Sequence, residues 1–176
     1  MKNAVVFHGI GSNPQDFWFP WLSKELEKEG YDVWIPQLPQ GDKPDVKIQL
    51  PWVLKNGKLT QDTVIIGHSS GCPLILALLE KVKIKKAVFV AGYVDADDRP
   101  ELILKDKYDW KEMKQNCQEF VFINSTNDPW GCDDKQGRKL LDKLGGTLVI
   151  NNKGHMGSNK FIQPYKKFPL LLKLIL

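Results

Sequence analysis

Arginine is nearly absent from this sequence: Arg99 and Arg138 are the only two among 25 basic residues. No run of five or six Lys/Arg occurs, and the formal charge of +4 is mild. Without an arginine cluster to grip phosphates or read bases, a nucleic-acid partner is not expected, and the lysines read as a solvated surface. Cysteine is scarce and odd in number. Cys72, Cys117 and Cys132 lack metal-ligand spacing, which argues against a disulfide framework and for reduced thiols in a cytoplasmic protein. Long apolar runs are missing too, so no membrane span is expected. The residues after Met1 are strand-like, and no signal peptide is expected. No internal repeat stands out. A chain of 176 residues with 42% hydrophobic content has enough core for one domain and too little for two, so residues 1–176 are expected to form a single one.

What is present is an alternation of apolar runs with amphipathic stretches, the pattern of βαβ units around a parallel sheet. Strands are expected at 3–8, 31–36, 62–67, 86–91, 119–124 and 147–151. The run at 62–67 carries Val64, Ile65 and Ile66 in unbroken succession and belongs at the centre of the sheet. Helices are expected at 20–29, with proline in the first turn and Gly30 at the end, at 70–81, and at 133–144, closed by Gly145-Gly146. A short helix is possible around 48–56. The charged stretch 93–116 reads as loop plus one short helix, within which Gln115-Asn116-Cys117-Gln118-Glu119 leads into the fifth strand. The tail 164–176 reads as a last helix that Pro169 bends or delays. Six strands with helices between them make a doubly wound α/β fold, a three-layer α/β/α sandwich, with chemistry on loops at the carboxyl ends of the strands. The loops after strands one, three, five and six hold HGIGS, GHSSG, NSTNDPW and NKGHMGS.

Gly67-His68-Ser69-Ser70-Gly71 fits G-x-S-x-G between a strand and a helix. In that context the serine sits on a strained turn, the glycines let strand and helix pass closely, and the hydroxyl projects above the sheet edge. Ser69 is the candidate nucleophile, and the Ser70 amide at the helix start is a candidate oxyanion donor. A serine needs a base, and the choice is among His8, His68 and His155. His68 adjoins Ser69 and should point away from its hydroxyl. His8 is placed as a wall of the site or a brace of its loop. His155, in Gly154-His155-Met156-Gly157, is the natural base. Asp128 follows strand five and is the candidate partner of His155. Asp95, with Asp97 and Asp98 close behind, competes for that role. The order Ser69, Asp128, His155 is the order of α/β-hydrolases. A second oxyanion donor is expected from Gly9 or Ile10. Phe17-Trp18-Phe19-Pro20-Trp21 reads either as core packing or as rings that overhang Ser69; Phe17, Trp18 and Trp130 are the candidates for a substrate wall. Cys72 reads as a buried small hydrophobe.

HG-x-G after strand one, GHSSG after strand three, the Asp128 loop and GHMGSNKF…FPLL near the end resemble the small serine hydrolases of the retinoblastoma-binding protein 9/YdeN type. The resemblance runs from Val5 to Leu174. It implies a compact α/β-hydrolase with strand order 2-1-3-4-5-6, a minimal cap, and a triad here formed by Ser69, Asp128 and His155. The chain departs from that pattern after the acid, at Pro129-Trp130-Gly131-Cys132.

These residues predict hydrolysis of a small-molecule carboxylic ester, with thioesters and amides as further candidates, and with no metal or cofactor. Two rivals remain open: a hydrolase-fold interaction module with little turnover, and a transferase whose acyl-enzyme excludes water. No feature of the sequence points to a particular protein partner.

Overall fold

Apolar residues in β1 (Asn3–Phe7) alternate between the two faces of a sheet, and both faces are covered. Ala4 and Val6 face one core with Phe19, Leu22 and Leu26 of α1 (Phe19–Lys28) and Leu171 and Ile175 of α6 (Pro169–Ile175). Val5 and Phe7 face the other, with α3 (Gly71–Leu79). These facts come from a computed structural model that describes residues 2–96 and 101–176. Asp97, Asp98 and Arg99 lie outside the described residues.

The sheet has six parallel strands in the order β2-β1-β3-β4-β5-β6. Helices on both faces complete the three layers of an α/β-hydrolase fold, as the sequence suggests. β3 (Thr63–His68) is buried along its whole length, as the successive Val64, Ile65 and Ile66 require of a strand covered on both faces. All nine residues of α3 are buried too. That helix packs between the sheet and α2 (Val46–Asn56) and α4 (Trp110–Asn116). Among the described residues no helix is long and apolar enough to cross a membrane.

The differences from expectation have local causes. β2 (Asp32–Trp34) is an edge strand of three residues, cut short before Pro36, which has no N–H for a ladder. β4 (Ile84–Val90) starts early and stops at Ala91, whose φ of +49° turns the chain out of the sheet. β5 (Cys117–Ser125) follows α4 directly. The tail helix begins only at Pro169: a proline suits the first helical position, where no N–H is needed. The entry into α5 (Asp134–Leu144) is capped by Asp133, whose carboxylate accepts from the amides of Lys135 and Gln136. β6 (Thr147–Asn151) closes the sheet. In register, Phe7 lies beside Gly67, His68 beside Val90, and Ser125 beside Asn151. The loops after these strands therefore emerge along one edge.

Candidate active site

Ser69 has φ +53°, a left-handed backbone that a non-glycine residue adopts only where its surroundings hold it. The surroundings are tight. A Cβ on Gly71 would lie 2.4 Å from the Phe7 carbonyl oxygen, so only glycine lets α3 start this close to β1. Across the cleft, a Cβ on Gly9 would lie 2.9 Å from Ser69 Cβ. The Ser69 amide donates to the Val90 carbonyl (3.0 Å). The side chain is half-buried and lines a cavity of 630 Å³.

His155 lines the same cavity. Its Nδ1 lies 2.8 Å from Asp128 Oδ2, and both side chains are buried, at 5% and 0% exposure. The other carboxylate oxygen, Oδ1, accepts the Trp130 amide (2.8 Å) in a turn two residues ahead. The loop carrying His155 is fastened on many sides. Gly154 N–H donates to Asn127 Oδ1 and His155 N–H to Gln163 Oε1. The indole of Trp18 donates to the Met156 carbonyl (2.9 Å), and His68 Nε2 bonds the His155 carbonyl (2.9 Å). A carbonyl only accepts, so Nε2 of His68 carries the proton. Burial and the nearby His155 lower the pKa of His68 to about 3, and the ring is neutral. Phe17, Trp18 and Phe19 surround it edge-on at 5.9–6.0 Å.

The serine hydrolase family model matches residues 4–173. The chain belongs to the serine hydrolase family. It is 25% identical over 166 residues to the serine hydrolase RBBP9 of Rattus norvegicus, covering 90% of this chain and 89% of that protein. It is 30% identical over 137 residues to the hydrolase YdeN of Bacillus subtilis (strain 168), covering 72% of this chain and 71% of that protein. The crystal structure of the ydeN gene product superposes with a TM-score of 0.88 at 21% identity, over 99% of this chain and 97% of the other. Est1E from Butyrivibrio proteoclasticus, solved with ferulic acid bound, shares the fold with a TM-score of 0.66 at 13% identity, over 99% and 90% of the two chains.

In this serine hydrolase the other expected site residues fall into two groups. Gly9, Ile10, Phe17 and Trp130 line the cavity with Ser69 and His155. Trp18 and His8 do not. Trp18, expected as a candidate wall, is wholly buried in the core against Phe19 and Phe168. Its neighbour Phe17 takes φ +51° and lines the cavity, while both rings pack edge-on against His68. His8, which the sequence leaves as a wall of the site or a brace of its loop, is a brace. Its Nε2 accepts from the Leu38 amide (3.1 Å), which leaves Nδ1 to donate to the Gly9 carbonyl (2.9 Å). Ser70 is buried at the start of α3 as its N-cap residue. Cys72 is fully buried, and burial pushes its thiol well up.

Asp95 also borders the cavity, but its carboxylate bonds Gln136 (2.7 Å) and Lys139 (2.9 Å) rather than a histidine. Burial raises its pKa, and those two hydrogen bonds outweigh burial and hold it below the usual carboxylate value. Three further residues shape the site: Asn127 and Gln163, which hold the His155 loop, and Tyr93, whose hydroxyl donates to Glu101 at the cavity wall (2.5 Å). Glutamine and asparagine on loops carry no distinctive signal. The one signal Tyr93 carries is its place just after the fourth strand, at the carboxyl edge of the sheet. Asp128, Cys132 and His155 bring one oxygen, one sulfur and one nitrogen within 4.8 Å of one another, a donor set able to hold a cation.

Proposed function

We propose that the chain hydrolyses carboxylic esters through an acyl-enzyme on Ser69. The observation that carries this reading is the buried Asp128–His155 pair opening on the same cavity as a strained Ser69. Asp128 accepts from Nδ1–H and so leaves the lone pair on Nε2. His155 then takes the Ser69 proton as Oγ attacks the carbonyl carbon. It returns that proton to the leaving oxygen, and the C–O bond breaks. Water, deprotonated in turn by His155, releases the acid and restores Ser69.

The oxyanion is assigned to the amides of Ser70 and Ile10. The Gly9 carbonyl is turned towards Ser12 and His8, and in a trans peptide the next N–H points the opposite way. This favours Ile10 over Gly9 as the second donor. Phe17 and Trp130 give the cavity an apolar wall suited to an acyl or aryl group. The buried thiols of Cys72 and Cys117 support a reducing, cytoplasmic setting for the single domain proposed here.

A panel of p-nitrophenyl esters of increasing acyl length, with matched thioesters and anilides, tests the reading. Turnover above background for at least one ester, with anilides slowest, is expected. Background rates throughout, with a folded protein, would favour an interaction module; product formed only with added alcohol or thiol would favour a transferase.

A further inference from the structure

Cys132 has no part in the chemistry above, yet its sulfur lies within 4.8 Å of the donor atoms of both Asp128 and His155. The thiol is on the segment between β5 and α5, is 6% exposed and borders the cavity. Nitrogen, oxygen and sulfur together are a borderline-soft set. Hard cations such as magnesium and calcium prefer oxygen alone, whereas zinc takes Cys, His and Asp.

We propose that Asp128, Cys132 and His155 bind a thiophilic divalent cation, zinc fitting best, and that its occupancy arrests hydrolysis. The arrest rests on the triad reading; the binding does not. With bonds of roughly 2.0–2.3 Å, three donors around zinc stand roughly 3.3–3.8 Å apart. The longest gap in the cluster must therefore close by about 1 Å, and the 2.8 Å Asp128–His155 contact must open slightly. The Cys132 backbone is held, its carbonyl accepting from Asn124 Nδ2 (3.0 Å) and the next residue bridging Ser125, so the closure falls to rotation of the Cys132 side chain. On coordination Cys132 gives its proton to solvent and binds as thiolate. A fourth position is left to water from the cavity, as in zinc sites with three protein ligands. Lys160, whose ammonium stands over the Trp130 ring at 4.7 Å, borders the cavity and opposes the cation; Asp95 and Glu101 border it and favour one. Metal on His155 and Asp128 removes the base and its orienting partner together.

The test titrates the full chain with cobalt(II), reads thiolate-to-cobalt charge transfer, and displaces cobalt with zinc. One equivalent, a charge-transfer band and displacement by zinc are expected for the wild type and for Ser69→Ala. Cys132→Ala is expected to lose the band and weaken zinc binding by about tenfold or more; Cys132→Ser serves if the alanine variant does not fold. Cys72→Ala is expected to keep both. Absence of the band in the wild type, or its persistence without Cys132, overturns the site. Ester hydrolysis is then followed with zinc and after chelation. Reversible arrest that needs Cys132 is expected; full hydrolysis by the zinc-loaded protein overturns the arrest. If metal binds as described but no ester is turned over without it, the hydrolase reading fails and the cation site stands.

Discussion

Replacing Asp128 by asparagine is expected to lower kcat about 10⁴-fold, as loss of the triad acid does in other serine hydrolases, with the fold retained. The geometry explains why so small a change costs so much. Oδ1 of Asp128 accepts the Trp130 amide and Oδ2 faces His155 Nδ1. In the variant, the amide oxygen keeps the Trp130 bond, so the NH₂ is turned to His155. Nδ1 must then accept, the proton moves to Nε2, and the base presents N–H instead of a lone pair to Ser69. Asp95→Asn is expected to change kcat only severalfold, because that carboxylate serves Lys139 and Gln136. Steady-state kinetics on both variants check the assignment; a large loss at Asp95 with a small one at Asp128 would move the acid to the loop after β4.

His68→Leu is the second substitution with a large expected effect. His68 touches no substrate in the mechanism above; it is a positioning residue that holds the His155 carbonyl from the core side. Leucine fills much of the space but donates nothing, so a buried carbonyl loses its partner and the base is free to drift. A misplacement near 1 Å costs on the order of 10² in rate, and that loss is expected in kcat with KM little changed. His68→Gln, whose amide can donate, is expected to recover most of it. A merely space-filling role would give the opposite ranking, with leucine the milder change.

The same residue sets an acid limit on stability. Burial holds the folded pKa of His68 near 3, against 6.5 for a free side chain. Above pH 6.5 both states are neutral and its contribution is fully present. As pH falls from 6.5 towards 3, the unfolded chain takes up a proton that the folded one refuses, and stability falls by up to about 1.4 kcal/mol per pH unit. His8, lowered mainly by burial, acts in the same direction. Denaturant unfolding across this range should show a shallower fall for His68→Gln than for the wild type.

Much of the framework was readable from periodicity. The successive Val64, Ile65 and Ile66 forecast a central strand, and alternating Ala4, Val5, Val6 and Phe7 serve two cores at once. The gathering of Ser69, Asp128 and His155 at one edge followed from parallel strands whose carboxyl ends are aligned. What the sequence concealed are choices made by tertiary contact. Nothing local tells Phe17 from Trp18, yet one lines the cavity and the other anchors the Met156 carbonyl in the core. His68 could be seen to point away from Ser69 but not to hold the His155 carbonyl, because that partner lies 87 positions away. His8 belongs to a loop brace that needs Leu38, on a segment with no strong pattern of its own. Cys132 follows Asp128 by four residues, but that its sulfur turns towards His155 depends on tertiary packing.

The proposed nucleophile, Ser69, is tested most directly by intact mass spectrometry after reaction with a fluorophosphonate. One adduct per chain is expected, located on the peptide containing Ser69 and absent from Ser69→Ala. A wild-type protein that gains no mass, or a Ser69→Ala variant that gains the same mass, would contradict it.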